Sequence, residues 1–565
     1  MSFNLFNSIR VKRPKRNAFD LSHDVKLGMN LGDLVPIFCE PVVPGDTFKV
    51  NTEILMRFAP LVSPVMHQMN VYTHFFFVPN RLVWDGWKDF ITGGERRPGS
   101  STPAPAPAYP TIGIEDGPLG SSSIQSLFMQ GSLMDYLGFP VANDFEGLRS
   151  MYGIGTSVDP SGDGFRAHID LLPFKAYQLI WNEYYRDQNL QEPVDIHSDR
   201  NGVSRMLNST EFMQLHRRAW EKDYFTSALP WPQAGEDVHL PFHGNASEDL
   251  PVYIDSATLG NPNIEAAGKP LTYGGTGTGS EPNSGSIVVD GTLNGSAQST
   301  KVDLSGHATA LDLTKSLQGV SSATINELRR AMRAQEFLEV SARGGGRYIE
   351  QIMSFFGVKS SDARLQRPEY LGGGKSPVMI SDVQQTSQTS EDSPQGNLSG
   401  QAASVQRSHS FKRFFEEHGW VIGIMSVLPR TAYQQGLPRK FTKFDRLDYY
   451  WPQFAHLGEQ EIKNSEIYFN CSDKLNDATF GYAPRYSEYK YIPSRVCGDF
   501  RSTLDFWHMG RIFTARPNLN GNFVTYNGDN RIFADENRDF QKLWVNIHHN
   551  VSALRPMPVY GTPTF

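Results

Sequence analysis

Between Asp46 and Phe58 the sequence DTFKVNTEILMRF alternates, with Phe48, Val50, Thr52, Ile54, Met56 and Phe58 on one side and Lys49, Asn51, Glu53, Leu55 and Arg57 on the other. A period of two predicts a strand with one buried face. Val71–Val78, VYTHFFFV, is almost continuously apolar, which predicts a strand covered on both faces. Shorter apolar runs at Trp420–Leu428 and Leu543–Val551 read as two further strands. A sheet that draws on both ends of a long chain, with large excursions between its strands, predicts an antiparallel sandwich carrying insertions.

The helical period appears inside the excursions. Pro173 suits a first turn, and Phe174, Tyr177, Ile180, Trp181 and Tyr184 then share a face. Thr324 and Glu327 have capping-box spacing, followed by an apolar stripe of Ile325, Leu328, Ala331, Met332, Leu338 and Ala342, and Gly344–Gly346 ends that helix. From Ala234 to Ser322 the chain turns polar, rich in Gly, Ser, Thr and Asn, with short β-like pieces such as Ile287–Val289. That segment is too long for a simple loop and too polar for a core of its own, so it reads as an exposed insertion packed on something else, for instance a symmetry copy. Thr102–Pro110, TPAPAPAYP, predicts an extended polyproline-like connection.

Composition supports a loop-rich β protein: of 565 residues, 50 are Gly and 36 are Pro, and 12% are aromatic. Charge divides the chain. Residues 1–19 hold no acid and carry Arg10, Lys12, Arg13, Lys15 and Arg16, so a net charge of -7 leaves -12 for the remainder. The first 20 residues therefore read as a basic arm and residues 21–565 as an acidic body. Flanked by Phe3, Phe6 and Phe19, the five cations suit phosphate neutralisation and base stacking. A solvated tail and a localisation signal fit the same composition. Three cysteines, Cys39, Cys471 and Cys497, form no Cys-x-x-Cys pair, which argues against a disulfide scaffold or zinc knuckle and fits a reducing compartment. No secretory signal or membrane-length apolar run is expected.

Catalytic motifs fare poorly. Arg367–Ser376, RPEYLGGGKS, ends like a phosphate-binding loop, but the position that needs the first glycine is Glu369. Pro368 spoils the preceding strand, and Ser376-Pro377 spoils the following helix. The segment reads instead as a glycine-enabled tight turn in an extended connection. His548 and His549 are adjacent on a strand and point to opposite faces, which disfavours a shared metal. Gly275, Gly277 and Gly279 lack dinucleotide-fingerprint spacing, and no Gly-x-Ser-x-Gly elbow stands between a strand and a helix. Asn245, Asn294 and Asn397 head chance glycosylation sequons. No enzyme, cofactor or metal is expected.

Longer stretches carry a resemblance. FNLFNSIRVKRPKRNAFDLSHDVKLGMNLGDLVPIFCEPVVPGDTF from Phe3, VNTEILMRFAPLVSPVMHQMNVYTHFFFVPNRLVWDGWKDFITGG from Val50, DARLQRPEYLGGGKSPVMISDVQQTS from Asp362 and HGWVIGIMSVLPRTAYQQGLPRKFTKFDRLDYYWPQFAHLGEQEI from His418 resemble the major capsid proteins of microviruses, in particular the gokushovirus branch. The resemblance covers nearly the whole chain and is weakest over residues 234–322. It implies a mainly β protein, an eight-stranded antiparallel jelly roll with long, partly helical insertions. It implies a T=1 icosahedral shell of about sixty copies around circular single-stranded DNA. Segment 234–322 would form protrusions at threefold axes that serve host attachment. Implied partners are copies of the chain, the DNA genome, an internal scaffolding protein, a minor pilot protein and a receptor on the bacterial surface. The virion would assemble in the host cytoplasm without membrane insertion. Arg10, Lys12, Arg13, Lys15 and Arg16 would face the DNA. Gly372, Gly373 and Gly374 would permit close backbone approach, and Arg367 and Glu369 would order the turn or an inter-subunit contact. A carbohydrate-binding β-sandwich, with Trp231 or Tyr273 as a sugar platform, is the other class that fits the pattern.

Overall fold

The computed structural model describes residues 15–94, 105–113, 129–141, 168–197, 203–205, 212–236, 238, 325–384, 398–407, 410–535 and 540–560. The chain divides into two compact units, Met1–Pro232 with Val340–Phe565, and Gln233–Glu339. In chain order the first unit contributes β1 (Asn17–Asp20), β2 (His23–Met29), β3 (Val35–Val42), β4 (Thr47–Phe58), β5 (Met69–Pro79), β6 (Thr111–Gly113), β7 (His168–Asp170) and β8 (Val203–Arg205). There follow β9 (Glu369–Pro377), β10 (Met379–Gln384), β11 (Leu398–Arg407), β12 (Phe411–Phe414), β13 (Gly419–Pro429), β14 (Glu459–Lys463), β15 (Thr479–Pro484) and β16 (Leu543–Arg555).

Two antiparallel sheets dominate. The first has the order β1-β16-β4-β11-β10, with β2 also on β16 and β12 also on β4; the second has the order β3-β13-β5-β9. The chain alternates between them as a viral-type jelly roll does: β2, β4, β11 and β16 lie in the first sheet, and β3, β5, β9 and β13 in the second. The seven strands of the first sheet include interrupted ladders. β1 and β2 follow one register on β16, from Asn17↔Arg555 to Met29↔Leu543, and Leu21 N–H donates to Val551 O at 2.9 Å across the break. β11 and β12 both pair with β4, with registers that differ by one residue between Arg407↔Glu53 and Phe411↔Val50. β9 and β10 are separated by Val378 alone, so the chain steps from one sheet to the other at that corner.

The alternation in β4 does what its period predicts: Phe48, Val50, Thr52, Ile54, Met56 and Phe58 are buried. With Val545, Ile547, Val551 and Ala553 of β16 they meet Val71, Phe75 and Phe77 of β5 and Val421, Met425 and Val427 of β13 in the core between the sheets. Each such large side chain contributes about 1.5–3 kcal/mol on burial. β5 and β13 are buried on their other face as well. There Phe76, Val78, Ile422 and Ile424 pack with Phe174, Tyr177, Ile180 and Trp181. Those four belong to the helix Leu172–Ile180 and the π-turn Trp181–Tyr185 that continues it. The helix is covered beyond its apolar face, for Lys175 lies over the Phe212 ring and Gln178 donates to the carbonyls of Phe212 and Gln214. A third cluster around Phe225, Tyr433, Ile462 and Phe480 supports the hairpin of β14 and β15.

In the second unit the described residues are Gln233–Glu236, Val238 and the helix Ile325–Gly344 up to its junction with the first. The helix spans the stripe the sequence predicts and ends at Gly345, whose φ is +101°. The N-terminal part of the stripe is not covered: Ile325 is 71% exposed, and Leu328 and Met332 are exposed too, whereas Ala342 near the other end is buried. Its cap residue Thr324, most of segment 234–322 with Ile287–Val289, Thr102–Ala104, and the sequons at Asn245, Asn294 and Asn397 lie outside the described residues.

His549 on β16 is fully buried between the sheets, with Nδ1 2.9 Å from Thr52 Oγ1 and Nε2 2.9 Å from Ile37 O. Burial, the largest cause, lowers its pKa from 6.5 to about 4. The folded chain therefore holds it neutral where the unfolded chain binds a proton. Its stabilising contribution is complete above pH 6.5 and is lost as the pH falls towards 4. In His549→Gln, the dependence of unfolding free energy on pH between 6 and 4.5 should flatten by up to about 1.4 kcal/mol per pH unit. Urea titrations of the unassembled chain at several pH values measure this; an unchanged slope contradicts it.

Candidate functional site

Glycine spacing, arm charge and surface aromatics single out three places. The first is Arg367–Ser376. It is a strand rather than the expected tight turn: Glu369–Pro377 is β9, the edge of the second sheet, antiparallel to β5. Its glycines leave no side-chain alternation to read, and its partner's backbone supplies the order. Gly372, at φ +152°, sits beside the slip in register between Phe75 and Phe76. A Cβ on Gly373 would fall 2.2 Å from Thr73 O, so the two backbones approach there as only glycine allows. Gly374 is paired with Thr73. The charged residues find partners within the chain. Arg367 is buried over the Tyr184 ring at 4.3 Å, with Asp362 at 3.5 Å and Glu183 at 3.8 Å. Glu369 pairs with Arg413 of β12, which ties this edge to the first sheet. Lys375 Nζ lies 2.6 Å from Glu221 Oε1. Gly-Lys-Ser here is part of a β-ladder.

The second place is the outer face of the first sheet, where the basic arm enters. Arg10, Lys12 and Arg13 lie outside the described residues; Lys15 and Arg16 are exposed immediately before β1. The Arg16 guanidinium lies 5.1 Å from the centre of the exposed Phe414 ring. Next to it Lys49 of β4 and Lys412 of β12 are exposed and directly opposite in register. Like charges so placed repel, unless an anion joins them. Arg57, Lys26 and Arg407 continue the face, with Glu53 3.3 Å from Arg407 and Asp24 2.6 Å from His548. Trp544, Leu55 and Val405 stand exposed among them, Val405 at 81%. In a chain of net charge -7 this is a basic face with aromatic and apolar side chains interleaved.

The third place is a ledge that the sequence pattern did not single out. From Phe441 to Leu457 the chain runs in short 3₁₀ turns, Arg439–Phe441, Arg446–Asp448 and Pro452–Phe454. These present Phe441, Phe444, Leu447, Tyr449, Tyr450, Trp451 and Leu457 to solvent, Phe444 at 89% exposure. The ledge is ordered from beneath. Tyr450 packs on Tyr486 with ring centres 4.9 Å apart, the Trp451 indole N–H donates to Arg446 O at 2.8 Å, and Lys443 lies 3.6 Å from the centre of the Tyr489 ring. Such turns follow no period, so a search for helical or strand spacing passes over them; the signal was the density of aromatics itself.

Among the described residues no group of His, Cys, Asp or Glu could hold a metal ion, and the three cysteines are free. His548 and His549 point to opposite faces of β16 as expected. No helix among the described residues is long and apolar enough to cross a membrane. Trp231 is exposed, and Tyr273 lies outside the described residues.

A family described as Capsid protein (F protein) matches residues 7–142 and 147–565. The chain is 37% identical to Capsid protein VP1 of Chlamydia phage 1, over 99% of this chain and 97% of that protein. It is 36% identical to Capsid protein VP1 of Bdellovibrio phage phiMH2K, over 97% of this chain and 95% of that one. With Capsid protein VP1 of Spiroplasma virus 4 it shares 30% identity, over 99% and 97%.

The ladder geometry separates two substitutions only two residues apart. Gly373→Ala should destabilise the chain by roughly 1–3 kcal/mol, because the new methyl meets backbone. Lys375→Ala should cost no more than about 1 kcal/mol, because its ion pair is half exposed. Equilibrium unfolding of both variants decides; equal losses contradict the assignment.

Proposed function

From the premise that this chain belongs to the phage capsid protein (F protein) family, on its gokushovirus branch, we propose that it is a major capsid protein whose copies close a T=1 icosahedral shell of about sixty subunits around circular single-stranded DNA. A capsid protein works by association with copies of itself, so its chemistry lies in surfaces. The observation that carries the reading is the ledge from Phe441 to Leu457. Large contiguous apolar patches are rare on monomers and mark association surfaces. Aromatic anchors held rigid from beneath lose little entropy on docking. Individual contacts need not be strong, because a closed shell repeats each one in every subunit.

The arm and the outer face of the first sheet are the DNA-facing surface in this reading. Arg10, Lys12, Arg13, Lys15 and Arg16 neutralise phosphates and release counterions, Lys49 and Lys412 extend the same function onto the sheet, and exposed aromatics take bases. Segment 234–322 forms surface protrusions that meet at threefold axes and serve attachment to a bacterial receptor. The uncovered stripe of Ile325, Leu328 and Met332 supports this, since three copies brought together would cover it. A scaffolding protein and a pilot protein complete the assembly in the host cytoplasm, and the product is the virion.

Co-expression with the other structural proteins of the phage gives two measurements. Phe444→Glu should leave the unassembled subunit with the parental melting temperature within about 1–2 °C, because Phe444 supports nothing beneath it, and should abolish fast-sedimenting particles. Normal particle yield contradicts the ledge's role. Deleting residues 1–16 should preserve the shell but lower its DNA content severalfold, read from absorbance at 260 and 280 nm of gradient-purified particles. Particles with full DNA content contradict the arm's role.

A further inference from the structure

Beside β9, the edge strand of the second sheet, there is a cleft of about 870 Å³, within the size range of small-ligand sites. Seven basic and three acidic side chains line it, the reverse of the balance of the whole chain. Most of those cations are accounted for: Lys222 pairs with Asp187, Arg343 with Glu459, Arg347 with Glu350, and Arg367 with Asp362. Arg186, Arg218 and Lys359 differ, since no ion pair among the described residues includes them. Arg186 donates one bond to Gln191 O, while its Nε is buried without a partner. Arg218 donates to Ser426 Oγ at 2.8 Å and stacks on the Tyr72 ring at 3.8 Å, and nearby Glu221 is held by Lys375 and Tyr72. Lys359 is exposed. Burial lowers the pKa of both guanidinia, and the neighbouring Arg347 lowers that of Arg186 further. Seven cations against three carboxylates leave the lining with a positive excess that a bound anion would balance. An aromatic group completes the lining: the half-exposed Tyr370 ring is 6.0 Å from His74 and 5.6 Å from Phe76.

We propose that this cleft binds a nucleotide of single-stranded DNA, with Arg186, Arg218 and Lys359 on the phosphate and Tyr370 stacked on the base. The proposal rests on the reading of the chain as a DNA-enclosing capsid protein and names a second point of contact, separate from the arm. The combination decides the ligand class: guanidinium groups match phosphate geometry, and an aromatic platform accepts any base. A site of this kind would fix each subunit to the strand without reading its sequence.

The test uses the full-length unassembled chain and a fluorescein-labelled oligodeoxythymidylate, followed by anisotropy at several salt concentrations. Arg186→Gln and Lys359→Glu should each weaken binding roughly tenfold and reduce the salt slope by about one. Tyr370→Ala should weaken the oligonucleotide and competition by thymidine monophosphate, while competition by inorganic phosphate stays at the parental level. Stronger competition by thymidine monophosphate than by the unlabelled oligonucleotide would mean that free nucleotide is the occupant, and would overturn the proposal as stated. So would parental affinity in the Lys359→Glu variant, whose exposed side chain makes unfolding no explanation, or displacement by oligoglutamate in preference to both nucleotides. DNA content of parental particles keeps the two readings apart. Filled particles combined with an unresponsive cleft overturn the cleft alone, and parental particles without DNA overturn enclosure itself.

Discussion

The structure depends on one ladder, which joins Thr47–Leu55 and the rest of β4 to β16 more than 480 residues later in the sequence. The first sheet cannot be completed until that last strand arrives. When it does, β16 receives β1 and β2 on its other edge, and His549 reaches across the core to Ile37 O in the second sheet. A single strand thus closes the first sheet and ties it to the second through a buried, neutral imidazole. The cost of bringing such distant segments together grows only slowly with the length between them. Long insertions are therefore compatible with the frame.

The four strands legible in the sequence are β4, β5, β13 and β16, the central pair of each sheet. Central strands bury one full face or both, so their hydrophobic pattern is strong. Most of the strands that escaped in the two large sheets lie at or next to their edges. β2 is only partly covered, with Val25 and Leu27 half-buried, and β9 spends three successive positions on glycine. At an edge the backbone of the neighbour decides the conformation, and the side-chain pattern is weak. The helix beginning at Leu172 shows the opposite error: its apolar face was readable, but Lys175 and Gln178 gave no hint that the remaining faces are buried too.

Interfaces were less legible than the frame. The arm announced itself because its charges are contiguous and free of acids. The cleft's cations that form no ion pair among the described residues, Arg186, Arg218 and Lys359, come from separate segments, and nothing local in the sequence places them in one cleft. The ledge lay within a segment whose resemblance to capsid proteins was plain, yet its aromatics fall on irregular turns. Periodicity reports burial inside one chain; it is silent about surface meant for another copy. Uncovered apolar side chains in an otherwise well-packed chain, such as Phe444 and Met332, carry that information once the fold is known.

The same logic joins core and shell. In the proposed reading the first sheet presents the basic face, and the packing on Tyr486 and Tyr489 presents the ledge, in fixed geometry, so little ordering would remain to be done on association. The most direct test is an electron cryomicroscopy reconstruction of particles formed by this chain with its phage partners. The account predicts a closed icosahedral shell in which Phe441, Phe444, Tyr450 and Trp451 are buried against a neighbouring copy, with ordered DNA density against Lys49 and Lys412. A shell in which those aromatics remain facing solvent, with the basic sheet face turned outward, would contradict it.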